Sequence, residues 1–263
     1  MSTDQSPNSN QTIETVRIKR TPWLRIRDVI IGLGFVMITF GQFADTKELL
    51  TYAYHSFITH FTDRVELNNL AEVSVGSNPH YLEEVFGIAR LIKPSQIDPD
   101  LEYRYYHAPK YLLGVAVVSG RVKGYMVTSL RDSFYPSVRF YNRALSEFSL
   151  AEYSRFNGRF TTDSTNLMYY LEGQQLGRQG LFLNQYMGYI DYAAQFSDRE
   201  LVLTNISALN DELLMSEEEA VNERIQTLRR NLRPNFFVVG DFAIETAADM
   251  VLTRFEYQSH FAD

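Results

Sequence analysis

The closest approach to a catalytic or metal-binding pattern in this chain is His80-Tyr81-Leu82-Glu83-Glu84. On a helix, His80 and Glu84 stand at i and i+4, so one face can present two ligands. An inverted zinc-protease motif needs histidine where Glu84 stands, and no third ligand is marked. The plainer reading is a first-turn histidine beside ordinary helix acids. His55 and His60 stand at i and i+5, about 140° apart around a helix, which suits two separate histidines better than a zinc pair. Asp98-Pro99-Asp100 with Glu102 gathers acids in a loop, without the glycine and terminal glutamate of a calcium loop. Asp163-Ser164 and His107 have the residue types of a triad, but nothing in the sequence fixes their geometry. There is no phosphate loop, dinucleotide fingerprint, nucleophile elbow or kinase signature. The chain has no cysteine, which excludes disulfides, thiolate zinc sites, cysteine nucleophiles and a lipid-bearing cysteine. No cofactor or metal is expected. An extracytoplasmic hydrolase or metal enzyme using His80, Glu84 and His107 stands as the alternative to a binding role.

Tyrosine is the more unusual chemistry. The 263 residues include 17 Tyr, 18 Phe and 1 Trp, and such rings favour strands and large buried surfaces. Tyr103, Tyr105 and Tyr111 share odd parity across two expected strands. On an exposed sheet face they would suit contact with protein, peptide or glycan; the competing reading is a half-buried sheet with hydroxyls at its rim. An apolar share of 45% and a charged share of 22% are ordinary for a globular chain, and a net charge of −7 argues against nucleic acid as a partner.

The charge is unevenly distributed. Residues 1–20 are polar and read as a disordered tail. Arg17, Lys19, Arg20, Arg25 and Arg27 outweigh Asp4 and Glu14, so residues 1–27 carry +3, whereas residues 45–263 carry −9. Between them lies Val29–Ala44, uncharged, with Gln42 as its only strongly polar side chain. Sixteen helical residues reach about 24 Å; beginning at Trp23 the segment reaches about 33 Å, enough for a bilayer core of about 30 Å. Residues 23–44 are therefore expected to form a transmembrane signal anchor. Ile30, Ile31, Leu33, Phe35, Val36, Ile38 and Phe40 would lie in lipid, with Trp23 in the aromatic belt and Arg25 and Arg27 at the headgroups. A cleaved signal peptide fits less well, because the n-region is long and the residues before a cut are unsuitable. The positive-inside rule puts the N-terminus in the cytoplasm and the acidic remainder outside.

The elements beyond the anchor follow from periodicity. Residues 45–72 read as a juxtamembrane helix with a stripe at Leu50, Tyr54, Phe57, Phe61 and Val65, and residues 73–263 as an α+β domain. Asn78 caps a helix with Pro79 at its first position, running to about Leu91. Strands follow at Leu101–His107, Tyr111–Ser119 and Val122–Leu130, with a hairpin turn at Ser119-Gly120-Arg121. A 64-residue shift places Tyr105-Tyr106 on Tyr169-Tyr170, Leu112 on Leu176 and Gly124-Tyr125 on Gly188-Tyr189. With a helix at Leu145–Tyr153, this allows a second helix-plus-three-strand meander. Ser216 with Glu219 reads as a capping box for a helix carrying Val221, Ile225, Leu228 and Leu232, whose Arg229, Arg230 and Arg233 form a solvated, dipole-matched end. Pro234 stops it, Asn235–Val239 is a short buried strand, and Asp241 caps a final helix with Ala248, Val251, Leu252 and Phe255 on one face.

Several segments carry a resemblance: Tyr81-Leu82-Glu83-Glu84-Val85-Phe86-Gly87, Lys110-Tyr111-Leu112-Leu113, Gly124-Tyr125, Ile225-Gln226-Thr227-Leu228-Arg229, Pro234-Asn235-Phe236-Phe237 and Leu252-Thr253-Arg254-Phe255-Glu256-Tyr257. Over residues 23–258 the chain resembles a family of bacterial single-span membrane proteins, uncharacterised in activity and first labelled from an enterotoxigenic Escherichia coli locus. The resemblance implies a single-pass inner-membrane protein and carries over no catalytic residue. A looser likeness is to small helix-plus-meander lipoproteins that support outer-membrane barrel assembly; here the lipid-bearing cysteine is absent and Ile88 follows Gly87. The expectation is a transmembrane helix followed by a mixed helix and antiparallel-sheet periplasmic domain. It would act as a binding or assembly module, with the bilayer and a protein, or a second copy, as partners. An inner-membrane sensor or effector is the third reading.

Overall fold

A computed structural model describes residues 27, 29–34, 63–141, 143–216 and 218–261. The chain divides into two compact units, residues 1–61 and 62–263. In the first, Arg27 and Val29–Gly34 are helical and largely exposed. Trp23, Arg25, Phe35, Val36, Ile38 and Phe40 of the expected anchor lie outside the described residues, as do His55 and His60. Among the described residues no helix is long and apolar enough to cross a membrane.

The second unit is α+β. Its elements, in order, are α1 (Arg64–Ala71), α2 (Pro79–Phe86), β1 (Leu91–Pro94), β2 (Leu101–Ala108), β3 (Tyr111–Val118), β4 (Arg121–Ser129) and the small pair β5 (Ser137–Val138) and β6 (Arg143–Ala144). Then come α3 (Leu150–Tyr153), β7 (Phe160–Asp163), β8 (Tyr169–Gln175), β9 (Asn184–Ile190), α4 (Arg199–Met215), α5 (Glu218–Asn231), β10 (Phe236–Gly240), α6 (Ile244–Asp249) and α7 (Arg254–His260). Eight strands form one sheet in the order β1-β2-β3-β4-β10-β9-β8-β7, and every pairing is antiparallel.

Helices cover both faces of the sheet. On one face Leu70, Leu82, Ile206, Leu209, Ile225 and Leu228 pack over Tyr106, Val115, Val127, Tyr170, Tyr189 and Phe237. On the other, Ala247, Met250, Leu252 and Phe261 pack over Tyr103, Tyr105, Met126, Leu171, Tyr186 and Val238. A strand covered on both faces needs apolar side chains in succession, and β3 (YLLGVAVV) and β10 (FFVVG) supply them. The β3–β4 turn is held by Ser119 and Gly120, at φ 49° and 70°, the left-handed pair that matches strand twist in a two-residue hairpin.

Several expectations hold. Asn78 caps α2, accepting from the His80 amide at 3.0 Å. The meander β2–β3–β4 forms as read, and residues 236–240 are a buried strand. Others change. Residues 45–62 of the expected juxtamembrane helix lie outside the described residues; of the remainder, Arg64–Ala71 is helical as α1, and Leu70 lies in the core of the second unit. α2 stops at Phe86 because Gly87 turns to φ 79°. Ser216 caps nothing forward: at φ 59° and ψ 35° it is the left-handed terminus of α4, whereas an N-cap needs extended backbone. The reciprocal cap forms instead at α7, where Thr253 Oγ1 accepts from the Glu256 amide at 3.0 Å and Glu256 Oε2 from the Thr253 amide at 2.7 Å. The expected final helix is therefore two, α6 and α7, with α6 starting at Ile244 rather than at Asp241.

The 64-residue shift does not superpose strand on strand. It maps β2 onto β8 and β4 onto β9, yet β8 and β9 are neighbours while β3 separates β2 from β4. Leu176 follows β8, outside any strand. A second meander does exist, β7–β8–β9, and β10 joins it to the first within one sheet.

Candidate binding trough

The three tyrosines proposed as a contact face are core residues. Tyr103, Tyr105 and Tyr111 are 0%, 0% and 4% exposed. They do not share a face: Tyr105 pairs with Gly114 and Ala108 with Tyr111, so the two-residue turn sets odd positions of β2 alongside even positions of β3. Tyr103 donates to Asp249 of α6 at 2.8 Å, and Tyr105 donates to the Met250 carbonyl at 2.7 Å. Tyr111, on the opposite face, stacks on Phe134 with ring centroids 5.7 Å apart. Burial lifts its hydroxyl pKa to about 12. The hydroxyls of Tyr103 and Tyr105 pin α6 to the sheet from within.

The residues weighed for catalysis are likewise dispersed. His80 is exposed and meets Glu83 at 3.4 Å, while Glu84 is exposed beside it. His107 stacks on Phe261, centroids 5.4 Å apart, on the α6–α7 face, whereas α2 packs on the other. Asp163 lies in β7, six strand positions from His107 in β2, roughly 29 Å along the sheet. No triad assembles from them. Asp163 instead accepts from the Thr165 amide and hydroxyl and from the Asn166 amide; partial burial pushes its carboxyl up, but these bonds hold it below the usual range. The acids of the Asp98 loop are engaged too: Asp98 accepts from the Asp100 amide and Glu102 pairs with Arg104. Among the described residues no three potential ligands cluster for a metal.

Arg229 corrects the reading of a solvated helix end. It is 3% exposed and donates from Nε to both oxygens of Glu172, at 3.1 and 2.9 Å, and from Nη2 to the carbonyls of Leu150 and Ser154. Tyr170 donates to Glu172 at 2.9 Å. Burial pushes the Glu172 carboxyl up, against the pull of Arg229 and Tyr170. This cluster is closed and bolts α5 and α3 to β8.

An open site lies at the sheet end that carries the Ser119-Gly120 turn, on the α6 side. A trough of about 580 Å³ is lined by Gly158, Arg159, Phe160, Gln175, Asn184, Tyr186 and Ala243–Glu245. Strand alternation puts Gly173, Gln175, Asn184 and Tyr186 on this face, with Gln175 and Asn184 as cross-strand partners. The Tyr186 ring lies flat across Gly173, where a Cβ would run into it. Phe242 covers Gly124 and Gly240 in the same way and stacks on Tyr186, the two planes 2° apart. Glycine inside a strand marks a close approach, and here three of them make room for two rings.

The base of the trough is fixed. Tyr186 Oη and Asn184 Nδ2 both donate to the Phe242 carbonyl, at 2.5 and 2.9 Å. The walls are not. Arg159, Gln175 and Glu245 are exposed, and among the described residues their side chains make no hydrogen bond or ion pair. Arg159 and Glu245 both reach Tyr186 electrostatically: burial raises its hydroxyl pKa, Arg159 pulls it down and Glu245 pushes it up. The result is a rigid aromatic and amide base between an unpaired cation and an unpaired carboxylate. Such a site can take a ligand offering charges of both signs, with Arg159 free for a bidentate carboxylate. Sequence reasoning did not single out these residues, which come from four separate segments with no common spacing. The strand glycines are the one signal that could have pointed to them.

Compared with family models, with curated proteins and with solved structures, the chain matches none.

Proposed function

We propose that this chain is a membrane-anchored binding module whose extracytoplasmic domain engages a protein partner through the trough. The observation that carries this is the pairing state of its walls. Arg159, Gln175 and Glu245 surround a fixed base and bond to nothing among the described residues. A volume of about 580 Å³ lies within the range of ligand pockets, about 300–1,000 Å³. A partner segment carrying one acidic and one basic side chain would complete both walls. The anchor rests on the sequence, in the uncharged run Val29–Ala44 with +3 before it and −9 beyond it. It gives an inner-membrane protein with a cytoplasmic N-terminus, the topology that the resemblance to bacterial single-span proteins also implies. Confinement to a membrane raises the effective concentration of a partner in the same membrane, so modest affinity is enough.

The test is complementation of a strain lacking the gene. One form carries Arg159→Ala with Glu245→Ala, one replaces residues 1–44 by a cleavable export signal, and a third carries His80, Glu84 and His107 all changed to Ala. The first two should fail and the third should rescue. Rescue by the first, or failure of the folded third variant alone, overturns the reading.

A further inference from the structure

A second cavity, of about 210 Å³, lies on the opposite face of the sheet beneath α1. It is lined by Leu67, Leu70 and Ala71 from the helix, by Tyr125, Val127 and Phe237 from the sheet, and by Pro136, Ser137 and Arg139 from the segment around β5. Leu67, Leu70 and Ala71 are at i, i+3 and i+4, so a single helix face roofs it. Polar ties hold that roof in place: Lys110 pairs with Asp63 and Glu66, each at 2.9 Å, and Arg139 Nη1 donates to the Val73 carbonyl at 2.8 Å. α1 is thus fastened at both ends and still leaves a space beneath its middle.

We propose that this cavity is a binding site for a small apolar carboxylate, of the size of a phenyl ring with a short side chain. Size and chemistry both point there. An apolar cavity of about 150 Å³ accepts benzene, and this one is somewhat larger. Its body is aliphatic and aromatic, with Tyr125 and Phe237 set edge to face at 6.4 Å. Beside this body the Arg139 guanidinium faces the Tyr125 hydroxyl, and Ser137 also lines the cavity. A guanidinium has five donors; Arg139 gives one to Val73, faces the Tyr125 hydroxyl and lies 5.7 Å from the Phe140 ring centroid, with donors left over for a carboxylate. No acid lines the cavity, so an anion entering it meets one charge, and that charge is positive. The site is separate from the trough, which opens on the other face.

The probe is 3-(4-fluorophenyl)propanoate, followed by fluorine NMR against the full chain in nanodiscs, with empty nanodiscs as the blank for lipid partitioning. The neutral 3-(4-fluorophenyl)propan-1-ol reports on the apolar body alone. The carboxylate should bind above the blank. Arg139→Gln should weaken the carboxylate by about tenfold or more and leave the alcohol within about twofold, since a charge-assisted bond is at stake. Ala71→Phe, at an exposed helix position lining the cavity, should abolish both; Ser137→Phe, from the opposite wall, replaces it if Ala71→Phe melts early. Signal no greater than the blank, equal weakening of both probes by Arg139→Gln, or unchanged binding in a folded cavity-filling variant each overturns the proposal.

Discussion

Removing Glu172 should be among the most damaging single changes to the domain. Glu172 is 5% exposed and Arg229 3%, so neither charge has water to fall back on. In Glu172→Ala the guanidinium keeps its bonds to the Leu150 and Ser154 carbonyls and its place over the Phe156 ring, but loses its counter-charge. The Tyr170 hydroxyl loses its acceptor as well. Breaking one partner of a buried pair costs about 3–5 kcal/mol. At about 2–4 °C per kcal/mol for a domain of this size, the melting temperature should fall by roughly 6–20 °C. The assay is thermal unfolding followed by near-ultraviolet circular dichroism. A buried pair is costly to break but not costly to replace, so the triple variant Tyr170→Phe, Glu172→Leu, Arg229→Met should return to within about 2 kcal/mol of the native protein. A single variant shifted by less than about 1 kcal/mol would refute the argument. So would a triple variant no better than the single one.

Four further outcomes are expected. Glu256 is partly buried, which raises its carboxyl, but Lys93 at 2.9 Å and the Thr253 amide and hydroxyl hold it below 4.5 overall. Its folded value lies below its unfolded one, so it contributes stability above pH 4.5 that is lost as pH falls through the folded value; melting scans should show a smaller acid-induced loss in Glu256→Gln than in wild type. Gly124→Ala should lower stability by about 1–3 kcal/mol in denaturant titration, because its Cβ meets the Phe242 ring and comes within 2.7 Å of the Val239 carbonyl oxygen. Ser216→Gly should raise stability by about 0.5–1 kcal/mol by relieving a left-handed backbone; a loss of about a few tenths of a kcal/mol, the cost of glycine at an N-cap, would restore Ser216 to that role. An alkaline-phosphatase fusion at Asp263 should be active and a fluorescent-protein fusion dark, and the reverse pair of results would invert the proposed topology.

The sequence marks elements where a local rule decides the outcome. Asn78-Pro79 specifies a helix start through φ and one acceptor, and Ser119-Gly120 specifies a turn through two left-handed residues. Alternation and continuous apolar runs mark β2, β3, β4 and β10. It misleads where two local rules compete. Ser216 followed by three acids fits a capping box, but the chain needed a left-handed stop for α4 at the same residue. Parity within strands was legible, yet parity across a turn depends on loop length, so Tyr111 came to the wrong face. Arg229 shows the same limit: the dipole argument weighs its own helix, while its partner Glu172 is 57 residues away in sequence. The trough was hidden for this reason as well, since Arg159, Asn184 and Glu245 come together only through the sheet order and the docking of α6.

β10 has a consequence for how the domain is made. It is the last strand in sequence and lies between β4 and β9, so residues 236–240 bridge the two halves of the sheet. Until they emerge from the ribosome, β1–β4 and β7–β9 are separate half-sheets, each ending in an unpaired, largely apolar strand. Such edges invite pairing with other chains. Assembly of the sheet must therefore wait until residue 240 is made, and its decisive contacts span more than a hundred residues, as in Val127 with Phe237. Long-range closure of this kind is slow and exposes sticky intermediates. A nascent chain of this design gains from shielding during synthesis. A truncation before Phe236 would lose two helices and also the strand that makes one sheet out of two.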